Sequence, residues 1–139
     1  MTQQQISTAR RKIWESIYLA LDESWIIGEL LEKYKQLPES DVAELYLKSK
    51  ACFNINSRID KEILAEAELL PKLRNYIPNK ASRSFILSIF NQACQKAFQL
   101  GAYHARTNYN PTFFGALTLD YNSLKNTLHT EIEKALNNE

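Results

Sequence analysis

The chain of 139 residues contains few residues of several types: two cysteines, three glycines and four prolines. Two cysteines cannot form a disulfide framework, and so few glycines and prolines disfavour a turn-rich β protein. No apolar run approaches the roughly 20 residues that a membrane-spanning helix needs. The polar start, Met-Thr-Gln-Gln-Gln, lacks the apolar segment of a signal peptide. We therefore expect a cytoplasmic protein without a membrane partner.

The most informative absence is that of acidic residues, since none occurs between Glu68 and Asp120. The formal net charge is only +1, so the charge is segregated along the chain rather than present in excess. This acid-free stretch, residues 69–119, contains six basic residues: Lys72, Arg74, Lys80, Arg83, Lys96 and Arg106. A one-sided positive field attracts polyanions, and nucleic acid is the commonest of these.

Apolar residues recur at spacings of three and four along nearly the whole chain, which predicts helices throughout. We expect an all-α fold, with residues 1–139 forming one compact bundle of about five or six helices. A long central helix is predicted near residues 80–107, where the longest apolar pattern lies. The predicted core consists of Ile17, Leu21, Leu45, Ile63, Phe90, Ala93, Ala97, Leu128 and Ile132.

Four places along the sequence carry signals for helix boundaries. The first helix either continues through residues 22–24 or restarts there, because Asp22 and Ser24 are both good N-cap residues. Pro71 predicts a break or kink, since proline lacks the N–H that a helix interior needs. Residues 108–115 are predicted to form a loop, and Asp120 is predicted to cap the last helix.

Neither histidines nor cysteines form a recognisable catalytic or metal-binding motif. His104 and His129 lie 25 residues apart, and neither belongs to a ligand-spaced cluster. Cys52 and Cys94 lie in apolar helical patterns that predict buried thiols. No glycine-rich phosphate loop or nucleophile elbow occurs. We expect a protein that is not an enzyme and that has no metal, cofactor or small-molecule substrate.

The residues that end the central helix have the composition of a nucleic-acid contact. Aromatic, amide and basic side chains alternate over residues 101–110, a mixture that suits stacking on bases and contact with phosphates. The predicted binding residues are Lys72, Arg74, Lys80, Arg83, Lys96, Arg106, Tyr103 and Tyr109. The central helix is too apolar to read bases in a groove, so backbone contact without sequence reading is expected.

A simpler explanation of the acid-free stretch is that a buried helix carries few charges of either sign. Burial explains why acids are missing from residues 85–100. It does not explain why residues 70–80 and 102–110, which should be at the surface, carry only basic charges. Another basic group, Arg10–Lys12, spreads around its helix, and Arg11 is placed to pair with Glu15 four residues later. We expect that group to be ordinary solvated surface.

An all-helical chain with Lys72, Arg74, Lys80, Arg83 and Arg106 in its acid-free stretch resembles the small subunit of CRISPR effector complexes. The resemblance covers general shape and charge rather than a motif. It implies a helical subunit, present in several copies side by side, whose basic side chains touch the nucleic-acid backbone. The implied partners are nucleic acid and other protein subunits. The alternative is a helical protein–protein interaction module, or a regulatory or inhibitory protein that occludes its partner.

Overall fold

The computed structural model describes residues 1–38, 40–42, 44, 69–106 and 110–138. Within these residues the main elements are four helices: α1 (Gln3–Lys33), α2 (Leu70–Tyr76), α3 (Lys80–Ala105) and α4 (Pro111–Asn138). The described part of the chain contains no strand, and the helices pack against one another. The prediction of a compact all-α bundle is confirmed. Predicted core residues Leu45 and Ile63, together with Cys52, lie outside the described residues.

The relative directions of the three long helices follow from their contacts. Gly28, late in α1, packs against Phe98, late in α3, so these two helices are parallel. Arg10, early in α1, bonds to Glu133, late in α4, so α4 runs antiparallel to both. The bundle thus has two ends. One end of the bundle contains the first turns of α1 and α3, the last turns of α4 and the whole of α2, and we call it the lower end. The opposite one is the upper end.

Each long helix begins at a side chain that caps its first N–H groups. In α1, Thr2 Oγ1 accepts a hydrogen bond from Gln5 N at 3.1 Å, and Gln5 Oε1 accepts one from Thr2 N at 2.8 Å. This reciprocal pair is a capping box. Asn79 Oδ1 accepts from Ser82 N at 3.1 Å and starts α3. Asn110 Oδ1 accepts from the N–H two residues later at 2.9 Å and starts α4.

The predicted start of the last helix was wrong. The helix begins at Pro111, so residues 111–115 are helical rather than part of a loop. Asp120 lies well inside α4 with an exposed side chain and caps nothing. The reason is local: Asn110 is a good cap, and proline fits the first helical position because its missing N–H would have no partner there.

The first helix continues through residues 22–24 without a break. Ser24 is buried, and its hydroxyl donates to the Ala20 carbonyl at 2.9 Å, so it is satisfied within the helix instead of capping a new one. With 31 residues, α1 is longer than α4 with 28 and the central helix α3 with 26. Pro71 lies in the first turn of α2, where proline is tolerated.

The core matches the predicted residues wherever the structure describes them. The confirmed ones are Ile17, Leu21, Phe90, Ala93, Ala97, Leu128 and Ile132, each at most 2% exposed. Cys94 is a buried thiol, as predicted. Helix α3 is the main packing partner of both other long helices, α1 and α4, which confirms its central position.

Two of the three glycines form a close crossing between α1 and α3 near the upper end. A Cβ on Gly28 would collide with the Phe98 carbonyl oxygen and lie 2.9 Å from the backbone N of Ala102. A Cβ on Gly101 would collide with the Trp25 carbonyl oxygen. The two backbones are therefore in direct contact at this crossing, which no residue with a side chain would permit. We call it the glycine crossing.

Candidate nucleic-acid interface

Four of the predicted binding residues lie together at the lower end. Lys72 and Arg74 belong to α2, and Lys80 and Arg83 belong to the first turn of α3. Because the seven residues of α2 span only about 10 Å and α3 begins four residues after α2 ends, the four residues lie at one corner of the fold. We call these four residues the basic corner. Arg74 and Lys80 are exposed and Lys72 is half-buried. Within the described residues, these three form no ion pair.

Arg83 has a different role from its neighbours in the basic corner. Its Nη1 donates to the carbonyl oxygens of Ile77 and Pro78, both at 2.7 Å. These carbonyls lie just beyond the end of α2, so the guanidinium holds the turn between α2 and α3. Its charge still adds to the field of the corner, but its side chain is fixed in place.

A second acid-free segment lies beside the basic corner. Residues 1–14 contain no Asp or Glu. The first turns of α1 pack next to α2, where Thr8 of α1 and the pair Asn75 and Tyr76 of α2 line the same shallow groove. The structure therefore brings two acid-free segments of the chain together at the lower end, although more than 50 residues separate them in the sequence.

The basic residues early in α1 are partly neutralised. Arg10 Nη2 donates to Glu133 Oε2 at 2.7 Å in a two-bond pair. This bond raises the pKa of Arg10 and lowers the pKa of Glu133. Arg11 lies 3.9 Å from Glu15, and both side chains are largely exposed, which confirms the predicted surface pair. An exposed pair of this kind contributes at most about 1 kcal/mol.

The remaining two basic residues of the acid-free stretch are paired with acids from outside it. Lys96 Nζ lies 3.5 Å from Asp120 Oδ2, and Arg106 Nε lies 3.1 Å from Glu32 Oε1. Arg106 follows the last residue of α3, about 39 Å along the helix axis from Lys80. The structure thus brings four of the six basic residues together and separates the other two from them.

Tyr103 is buried at the upper end. It is 6% exposed, and its hydroxyl donates to the Asn110 carbonyl at 2.7 Å while accepting from the Asn110 N–H. Its ring contacts those of Phe113 and Phe114. These contacts join the end of α3 to the start of α4, and the ring is not exposed to a base. Tyr109 lies outside the described residues. His104, in the last turn of α3, is exposed.

Sequence reasoning missed an aromatic and basic set on the facing sides of α1 and α4. It consists of Trp14, Tyr18, Tyr121, Lys125 and His129, and we call it the aromatic seam. The sequence signal was present as a spacing of four on each helix, at 14 and 18 and at 121, 125 and 129. Only the antiparallel pairing of the two helices makes these separate patterns into one surface.

Neither a metal site nor a membrane span is found in the part of the chain that the structure describes. No three His, Cys, Asp or Glu side chains there come together in a way that could hold a metal ion. None of the described helices combines the length and apolar character needed to cross a membrane. Comparison with known proteins found no matching family model, no matching curated protein and no matching solved structure.

Proposed function

We propose that the chain is a non-catalytic helical subunit of a larger nucleoprotein assembly. Its basic corner contacts the sugar–phosphate backbone of nucleic acid without reading the bases. The observation that supports this most directly is the meeting of two acid-free segments at the lower end. There, Lys72, Arg74 and Lys80 have no acidic partner among the described residues, so their charges are available to a phosphate.

The mechanism is electrostatic. Each lysine or arginine that neutralises a phosphate releases a condensed counterion, so binding weakens with salt by about 0.7–0.9 logarithmic units per contact. Three such contacts give weak binding, and an assembly with several copies side by side would add their contributions. The resemblance to the small subunits of CRISPR effector complexes supports such an arrangement, in a cytoplasmic assembly with other protein subunits.

Sequence reading is not expected of this surface. The side chains of the basic corner are charged groups on a short helix and a helix start, where they can follow a phosphate backbone. The helix that could enter a groove, α3, is packed against both α1 and α4. Contacts with phosphates position a protein on nucleic acid but carry no direct sequence information.

A second candidate is a protein–protein interaction module that occludes its partner. The observation that favours it is the exposure of large apolar side chains on the outer surfaces of α3 and α4. Phe85 is 48% exposed, Phe113 is 50% exposed and Leu119 is 72% exposed. These residues are spread along two helices, whereas interfaces concentrate their apolar residues in a central patch. The basic corner is therefore the better-supported surface.

The test is a salt titration of binding to a labelled single-stranded oligonucleotide, followed by fluorescence anisotropy. The triple variant Lys72→Ala/Arg74→Ala/Lys80→Ala should bind more weakly and should flatten the slope of log K against log salt by about two units, since each contact with a single strand contributes about 0.7. The loss should be nearly the same for all oligonucleotide sequences, because phosphates are common to all of them.

The matched control removes three positive charges from the upper end. In Lys33→Ala/Lys35→Ala/Arg106→Ala, two of the lost charges already face Glu32, so binding should change little. If the two triple variants weaken binding equally, only net charge matters and the basic corner is not the site. If the parent binds no nucleic acid, the proposal fails, and recovery of a protein partner would then favour the interaction module.

A further inference from the structure

The aromatic seam is a continuous ladder of rings and cations between α1 and α4. Trp14 stacks on Tyr18, with ring centroids 5.2 Å apart and planes inclined by 27°. On its other side, the Trp14 ring lies 5.3 Å from that of His129. Lys125 Nζ lies 5.6 Å from the Tyr18 ring centroid and 5.4 Å from that of Tyr121. One lysine is thus held by two rings through cation–π contacts.

The seam is open to solvent on one side and supported on the other. Tyr18 is 48% exposed and His129 is exposed, whereas Trp14 and Tyr121 are half-buried. The half-buried rings fix the exposed ones in orientation, because aromatic pairs have preferred geometries. Phe85 shows the contrast: it is also 48% exposed, but no described ring or cation is paired with it. The exposure of Tyr18 is therefore part of an organised surface.

We propose that the aromatic seam stacks unpaired bases of a single-stranded nucleic acid, with Lys125 and His129 beside the backbone. The inference rests on the proposed function and specifies that the protein binds the single-stranded form of nucleic acid. Aromatic rings with a neighbouring cation are the parts from which sequence-tolerant single-strand sites are built, because every base has a π-face. A duplex hides those faces, so single strands are preferred.

Acidic groups flank the seam on both sides, but only those toward the lower end are paired. Asp22 is close enough to Tyr121, on the side nearer the upper end, for its charge to act on the hydroxyl, and it would repel a phosphate there. Toward the lower end, Glu133 is paired with Arg10 and Glu15 is paired with Arg11. Beyond these pairs, the first 14 residues of the chain contain no acid. A strand stacked on the seam would therefore meet less repulsion toward the lower end, where the basic corner lies.

The experiment uses the chain's two tryptophans, Trp14 and Trp25. In Trp25→Phe, the emission reports only on the seam. Titration with an unlabelled single-stranded oligonucleotide should quench Trp14, and a duplex of the same sequence should quench it much less. Adding Tyr18→Ala should abolish most of the quenching and weaken binding roughly tenfold, because it removes a ring on which a base stacks.

Phe85→Ala is the matched control, because it removes an equally exposed ring outside the seam. It should leave quenching and affinity unchanged. Circular dichroism and the melting temperature show whether each variant is folded, and repeating the affinity measurements with Trp25 retained removes any dependence on that substitution.

The outcomes separate this inference from the proposed function. In one outcome, an oligonucleotide binds the parent and binds the basic-corner variant more weakly, but it does not change Trp14 emission, and Tyr18→Ala does not weaken its binding. The seam is then structural only, and the proposed function stands. Equal binding of duplex and single strand overturns the seam in the same way. If no oligonucleotide binds at all, both fail.

Discussion

The two ends of the bundle contain parts of the same acid-free stretch, but they differ in whether its basic residues are paired with acids. At the lower end, Lys72, Arg74 and Lys80 meet the other acid-free segment, and their charges remain without an acidic partner among the described residues. At the upper end, Arg106 meets the end of α1, and Glu32 pairs with it at 3.1 Å. Whether the basic residues of the stretch keep an unpaired charge therefore depends on which helix packs beside them.

The ends also differ in what holds them together. The upper end has the glycine crossing and the Tyr103 contacts, so backbone approach and buried aromatic packing dominate. The lower end has caps and charge-assisted bonds, such as those of Arg83 to two carbonyls and of Arg10 to Glu133. Stability should therefore respond to shape at the upper end and to charge and pH at the lower end.

The largest expected effect tests the upper end by adding one methyl group. Gly101→Ala should lower the free energy of unfolding by about 1–3 kcal/mol, because the new Cβ meets the α1 backbone and the helices must separate. Chemical denaturation measures it. Gly115→Ala is the control: nothing lies within 4 Å of that Cβ, so alanine should stabilise its helix by up to about 1 kcal/mol. Two stabilising substitutions would mean that the glycine crossing is not close-packed.

An intermediate effect is expected from the hydroxyl that joins α3 to α4. Tyr103→Phe should cost about 1 kcal/mol, because it removes the hydrogen bonds to the backbone of Asn110 and keeps the ring. Thermal and urea unfolding both report it. Tyr76→Phe at the lower end is the matched change, since no hydroxyl bond of Tyr76 is found in the described part of the chain. If Tyr103→Phe and Tyr76→Phe lowered the free energy of unfolding equally, the hydroxyl bond of Tyr103 would not distinguish the upper end from the lower end.

The smallest effect concerns pH at the lower end. The bond from Arg10 lowers the pKa of Glu133 below its ordinary value of 4.5, so the folded state favours the carboxylate. This contribution is present above about pH 4.5 and is lost as the pH falls through the lower folded pKa. Glu133→Gln should therefore cost less than about 1 kcal/mol near neutral pH and nothing in strong acid.

Urea midpoints measured at several pH values from about 2.5 to 7 test that expectation. Arg10→Gln removes the same bond from the other side, so it should flatten the same part of the pH profile. A profile for either variant that parallels the parent at every pH would show that the pair contributes no stability, and the lower end would then owe little to charge.

Local signals in the sequence predicted much of the fold. Helical periodicity placed Phe90, Ala97 and Ile132 in the core because burial repeats with the turn of the helix. The error at the start of α4 was also local, since Asn110 followed by Pro111 is a cap and a first-turn proline. Asp120 has the right chemistry for a cap, but it lies in the interior of α4, where the backbone N–H groups already bond within the helix.

The candidate site was less predictable because pairing between helices is not written in local sequence. Nothing near Arg106 indicates that Glu32, 74 residues earlier, neutralises it. The aromatic seam likewise exists only because α1 and α4 are antiparallel and in register. Sequence could identify which residues carry charge or rings, and only the fold could identify which of those remain available.

The glycine crossing also sets how freely this chain can change during evolution. At positions 28 and 101 every substitution adds atoms where two backbones already touch, so drift at either position requires compensating movement of a whole helix. At position 115 an added Cβ meets nothing within 4 Å, so that position is free of this constraint. Among descendants of this sequence, the first two glycines should persist together or be lost together, while the third should vary. Such paired retention would mark this packing arrangement even where overall identity has fallen too low to align.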